Sequence, residues 1–156
     1  MTVNGCFPIG AMLVGPKVSE VMQFGAHGTT FGGNPMAAAV ARVALARISS
    51  PAVLLNVERQ ANDIRTGLDK LNAEFHLFSE VRGRGLMIGA VLNDANKGRA
   101  GEILDMAAAH GLLILQAGPD VLRIVPPLTI TDEEVAAGLE RLHASLAAFM
   151  QEARVA

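Results

Sequence analysis

The chain has 156 residues, 51% hydrophobic and only 18% charged, the opposite balance to an intrinsically disordered segment. Thirteen Lys and Arg against fifteen Asp and Glu leave a formal net charge of −2, which gives no electrostatic case for nucleic acid. One cysteine excludes a disulfide framework, and no apolar run approaches the ~20 residues needed to span a bilayer.

In chain order, Phe7–Val14 (FPIGAMLV) is a short apolar run that predicts a buried strand, broken by Gly15-Pro16. Lys17–Phe24 fits one or two helical turns, and Gly25–Gly33 is a glycine-rich loop carrying two hydroxyls. Asn34 and Pro35 then start a helix as N-cap and first helical residue. Its alanine-rich body, Met36–Ile48, predicts close packing on several sides. Ser50-Pro51 opens a further helix by the same device, and Val57, Ala61, Ile64, Leu68 and Leu71 form one apolar stripe along it. Arg59, Arg65, Asp69 and Lys70 lie off the stripe as a solvated face.

Phe75–Val81 and Leu86–Leu92 read as strands flanking Gly83-Arg84-Gly85, a bend or bulge. Gly101–His110 is a helix stopped by Gly111. Leu112–Gln116 and Val121–Val125 are expected to pair across the turn Ala117-Gly118-Pro119-Asp120. Thr131 with Glu134 makes a capping box for a last helix, whose stripe is Val135, Leu139, Leu142, Leu146 and Phe149. The order from residue 50 onward predicts an α+β domain, with a mainly antiparallel sheet carrying helices on one face. A boundary near residue 50 separates it from residues 1–49.

The strongest local signal for chemistry is the loop His27-Gly28-Thr29-Thr30-Phe31-Gly32-Gly33-Asn34-Pro35. Glycines allow close backbone approach, hydroxyls donate hydrogen bonds, and the helix start that follows favours an anion. The plainer reading is a surface loop ahead of a well-capped helix. It is not a Walker loop, because no Gly-Lys-Ser/Thr follows. His27 could act as a base or simply face solvent. Arg123 sits in an apolar strand, where an unpaired guanidinium is costly. Either it pairs internally with a carboxylate or it grips a carboxylate ligand bidentately. Arg82-Gly83-Arg84-Gly85 lacks dinucleotide-loop spacing and reads as a turn. Cys6 has no activating base nearby and reads as a packing residue, and no metal-ligand motif is present.

Three segments in order, HGTTFGGNP, FSEVRGRGLMIGAVL and VLRIVPPLTITDEEV, resemble the C-terminal part of class-III aminotransferases. Within that group the resemblance is closest to the acetylornithine/succinylornithine aminotransferases, which use pyridoxal phosphate. It implies that residues 1–49 correspond to the tail of the large cofactor-binding domain (strand, phosphate loop, linking helix) and 50–156 to the small C-terminal α+β domain. It further implies that Thr30, with Thr29 beside it, reaches across a homodimer to the phosphate of the neighbouring subunit's cofactor. By the same resemblance, Arg123 binds the α-carboxylate of the amino acid or keto acid.

The resemblance also marks a departure. Setting Phe7-Pro8-Ile9-Gly10-Ala11 on the family's pattern puts its Schiff-base lysine at Met1, and Lys17 lies in a different segment. The chain alone is therefore expected to be inactive, a portion of an enzyme that moves an amino group between acetylornithine (or succinylornithine) and 2-oxoglutarate. Its expected partners are a second copy or the family's N-terminal half, with neither nucleic acid nor membrane involved, in the cytoplasm. The excess of apolar residues fits faces meant for such partners. The alternatives are a non-enzymatic ligand-binding or subunit-interaction module derived from that family, and a purely structural domain.

Overall fold

The computed structural model describes residues 8–152, which fall into two compact units dividing between Pro51 and Ala52. The first unit holds two helices, α1 (Pro16–Val21) and α2 (Pro35–Ile48). The apolar run ahead of α1 does not form the buried strand its composition predicts. From Pro8 to Val14 it has no regular structure and is largely exposed, Leu13 at 98%. Phe7 and Cys6 lie outside the described residues. A strand must find partners for its backbone N–H and C=O groups. All four strands among the described residues belong to the second unit and pair with one another.

α2 begins as its sequence dictates. Asn34 is extended (φ −60°, ψ 138°), and its side-chain oxygen accepts from Ala37 N–H at 3.0 Å, with Pro35 at the first helical position. The close packing expected around its alanines is absent: Ala37 is the one buried residue of this helix, while Met36, Val43 and Leu45 are exposed. Alanine favours the helix through intrinsic propensity, with no need of a packing surface. The Ala-rich pattern therefore specified the helix but not a neighbour for it.

The second unit contains α3 (Pro51–Phe75) from its second residue onward, β1 (Phe78–Arg84), β2 (Met87–Leu92), α4 (Ala100–Ala109), β3 (Leu115–Gln116), β4 (Val121–Ile124) and α5 (Asp132–Glu152). The strands form one sheet in the order β1-β2-β4-β3, antiparallel throughout. This is the α+β arrangement anticipated from the element order. Ile88, Ala90 and Leu92 of β2 and Leu122 of β4 are buried against Ile64 and Leu68 of α3, Ile103 of α4 and Leu146 and Phe149 of α5. Burying each of the leucine, isoleucine and phenylalanine side chains contributes about 1.5–3 kcal/mol. Alternation along β2 and β4 leaves Met87, Gly89, Val121 and Arg123 on the opposite, open face.

Specific devices close this unit. α3 runs to Phe75, so β1 starts at Phe78, three residues later than the sequence suggested. His76 takes a left-handed conformation (φ 51°) at the corner. Asn72 then bridges helix to strand: Phe78 N–H donates to its Oδ1 at 2.7 Å and its amide nitrogen donates to Phe78 C=O at 2.9 Å. The bulge lies at Ser79, where the register shifts, while Gly83-Arg84-Gly85 is the hairpin end, with Arg84 paired to Met87. α4 ends in a Schellman motif, Leu112 N–H donating to Ala107 C=O and Gly111 N–H to Ala108 C=O, with Gly111 at φ 75°. Arg99 stacks 4.3 Å above the buried Phe149 ring while its guanidinium binds Glu102.

The capping box at α5 is present in both directions. Thr131 N–H donates to the Glu134 carboxylate at 2.9 Å, and Glu134 N–H donates to the Thr131 hydroxyl at 3.3 Å. α3 grips the same entry: Asn56 donates to the carbonyls of Leu128 and Ile130, while Arg59 and the buried Gln60 both donate to Asp132. These bonds, Gln60 first and Arg59 second, hold the Asp132 carboxyl below its ordinary value of 3.8. No single helix among the described residues is long and apolar enough to cross a membrane.

Candidate functional site

The candidate site residues lie in both units. In the first, Thr29 and Thr30 are consecutive and exposed, in the loop between Gly25 and α2. Residues 30–33 form a turn, and Gly32 N–H approaches Thr29 C=O at 3.4 Å. A Cβ at Gly32 would collide with the Thr29 methyl group. Gly33 holds φ 68°, a conformation disfavoured for residues with a side chain, and turns the chain into the Asn34 cap. Among the described residues neither threonine hydroxyl has a side-chain hydrogen-bond partner. Two exposed hydroxyls on a glycine loop ahead of a helix N-terminus are a donor set that fits a phosphate. His27 is exposed in the same loop, and Lys17 is exposed on α1.

In the second unit, Arg123 is the third residue of β4. Leu122 before it is buried and Ile124 after it is half-buried, so strand alternation puts the guanidinium on the open face. The internal ion pair considered from sequence is not formed: Arg123 is exposed, and no carboxylate among the described residues pairs with it. The desolvation cost that suggested such a pair does not arise, because only one face of this strand is buried. A largely apolar cavity of about 290 Å³ adjoins Arg123, lined in part by Leu113, Leu115, Val125, Pro126 and Leu139. Ile64, Val135 and Leu142 of the core also line it, so it reaches the helix side of the sheet, while the Arg123 guanidinium on the open face is available to a carboxylate.

The sheet register adds a feature that residue-by-residue reading of the sequence did not yield. Arg82 lies opposite Gly89, and Gly89 lies opposite Arg123, so the three form one cross-strand row on the open face. Counting outward from the Gly85-Leu86 hairpin end would have paired Arg82 with Gly89. The pairing of Gly89 with Arg123 depends on how β2 meets β4, which local sequence does not specify.

Residues 1–146 match the family Aminotransferase class-III. The chain is 66% identical over 148 residues to an acetylornithine aminotransferase of Xanthomonas campestris pv. campestris, covering 95% of this chain and 36% of that protein. It is 60% identical over 153 residues to an acetylornithine aminotransferase of Xylella fastidiosa, covering 97% of this chain and 37% of the relative. A crystal structure of N-acetylornithine aminotransferase from Stenotrophomonas maltophilia K279a superposes with a TM-score of 0.83 at 59% identity, over 96% of this chain and 38% of that one. The chain thus spans little more than a third of the length of these relatives. Pyridoxal phosphate is the cofactor of the family, and the hydroxyl loop and the free arginine occur in this chain within the motifs that resemble it. By sequence over nearly its whole length and by fold, the chain belongs to the class-III aminotransferases.

Proposed function

We propose that this chain is the C-terminal portion of an acetylornithine-type aminotransferase, serving amino-group transfer between acetylornithine (or succinylornithine) and 2-oxoglutarate in arginine metabolism. The observation that carries the proposal is 66% identity over 148 residues to an acetylornithine aminotransferase, which takes in the HGTTFGGNP loop and the VLRIVPP strand. In this reading the first unit is the tail of the large cofactor-binding domain and the second is the small C-terminal domain.

Thr30, supported by Thr29, donates to the cofactor phosphate of a neighbouring subunit in a homodimer. Arg123 binds the α-carboxylate of the amino acid or keto acid bidentately and so orients the carbon that exchanges its amino group. The exposed Phe24, Phe31, Met36 and Val43 of the first unit supply surface that a partner covers.

When bound, pyridoxal phosphate supplies the electron sink on which amino transfer depends. The reaction also needs an amine nucleophile that serves as a base, the role of the family's lysine. That position corresponds to Met1, outside the described residues, and neither a threonine hydroxyl nor a guanidinium replaces it. We therefore infer that the 156-residue chain by itself does not transaminate. The test is titration with pyridoxal phosphate, borohydride reduction and intact mass. The expected result is an unchanged mass. An adduct mapped to one lysine, Lys17 first among those to check, would show that the chain holds the cofactor covalently and would overturn the inference.

A further inference from the structure

The two edges of the sheet differ in length. β3 supplies only Leu115 and Gln116, whereas β1 runs over seven residues, Phe78–Arg84. A strand edge presents backbone N–H and C=O groups with which another strand can pair. On β1 the groups that point away from β2 belong to Phe78, Val81 and Gly83. The Arg65 guanidinium donates to the Gly83 C=O at 2.9 Å, so Gly83 points outward, and Val81, two residues earlier, shares its direction. Phe78 lies beyond the bulge at Ser79 and turns its N–H and C=O to Asn72.

Two side chains of α3 therefore stand where a neighbouring strand would. Asn72 uses its side-chain amide as a peptide group, accepting from the Phe78 N–H at 2.7 Å and donating to the Phe78 C=O at 2.9 Å. Arg65 lies seven residues earlier on the same helix, two turns or about 10 Å along its axis, and covers the far end of the strand. Between them Val81 is the open rung: among the described residues no group outside the sheet bonds to its N–H or C=O.

Charge does not protect this edge against its own copy. Charged residues on an edge strand ordinarily discourage pairing, and β1 carries Glu80, Arg82 and Arg84. An antiparallel two-fold pair centred on Val81, however, sets Glu80 opposite Arg82 of the second copy and Arg82 opposite its Glu80, so these charges attract. The protection has to come from elsewhere. We propose that Asn72 and Arg65 guard the edge of β1 against a second copy of this chain. They hold the outward groups of Phe78 and Gly83, one on each side of Val81, and so stop a self-complementary strand pair from extending past a single rung. The surface they shut is the β1 edge, and its occupant once opened is β1 of another copy.

The test is sedimentation velocity of the full chain over a range of concentrations at low ionic strength, with the wild type's own association as the baseline. A chain carrying Arg65→Ala and Asn72→Asp is expected to self-associate about tenfold more tightly than the wild type. Aspartate keeps the acceptor for the Phe78 N–H and loses the donor to its C=O. Arg65→Ala alone should give a smaller increase in the same direction, and Arg65→Lys, which keeps a donor, should stay near the wild type. Adding Glu80→Arg to the double variant sets like charges opposite each other and should return association to the baseline. Exchanging the pair, Glu80→Arg with Arg82→Glu, should restore it. Guard variants that associate no more tightly than the wild type overturn the guarding role. Tighter association that Glu80→Arg leaves unchanged overturns the β1 pairing and places the contact elsewhere. Dispersed amide spectra at low concentration show that each variant is folded, and Arg65→Ala carries the test by itself if Asn72→Asp does not fold.

Discussion

Asp132 shows how a single surface carboxylate can fasten two helices. It opens α5 and accepts from Gln60 and Arg59 of α3, and these bonds hold its pKa below the ordinary 3.8. A carboxyl depressed in the folded state contributes stability that is fully present above its unfolded pKa and is lost as pH falls through its folded pKa. Asp132→Asn is therefore expected to be less stable than the wild type at pH 7, with the gap closing as pH falls below 3.8. Urea unfolding at about pH 7, 5 and 3 checks this, and a gap that does not change with pH would show that the ionised carboxylate contributes nothing. Leu68 carries stability of another kind. It is fully buried on the α3 stripe, so Leu68→Ala should cost about 2–5 kcal/mol in the same experiment. A loss below about 1 kcal/mol would mean that the helices close over the cavity.

Among the elements, the β1–β2 hairpin has the least tolerance. Gly83 has φ 130°, and a Cβ there would collide with the Met87 carbonyl, so Gly83→Ala combines backbone strain with a steric clash. A destabilisation of about 1–3 kcal/mol or more is expected, with perturbed amide shifts concentrated in β1 and β2. An alanine variant as stable as the wild type would contradict the β1–β2 register. Most elements were legible because their signals are local: the Thr131–Glu134 box, the Asn34-Pro35 start and the two stripes on α3 and α5 each depend on residues a few positions apart. What failed depended on partners. Phe7–Val14 has the composition of a strand, but from Pro8 onward it has no neighbouring strand. The alanines of α2 promised packing that a helix can form without. Arg123 looked buried because its neighbours are apolar, and only the one-sided burial of β4 shows that it is free. The β1 start was misplaced because Phe75 continues the α3 periodicity as readily as it begins a strand.

For the whole molecule, the contrast between the two units is the main fact. The second has a continuous core drawn from three helices and three strands of the sheet, whereas α2 of the first buries only Ala37. Sequence and fold both place the chain in the class-III aminotransferases, and it spans little more than a third of its relatives' length. The proposed division of labour explains the imbalance. In it, the second unit is a self-sufficient scaffold that presents Arg123. The first is a phosphate loop and helix whose apolar surface belongs against the rest of a subunit and its dimer partner. The most direct test is acetylornithine-dependent glutamate formation from 2-oxoglutarate with added pyridoxal phosphate. It is measured for the chain alone and after co-expression with the N-terminal part of the Xanthomonas campestris relative that carries the family's lysine. No turnover is expected from the chain alone, and the pair should turn over at a rate that Arg123→Gln sharply reduces. Turnover by the chain alone, or none by the folded and associated pair, would contradict the proposed function.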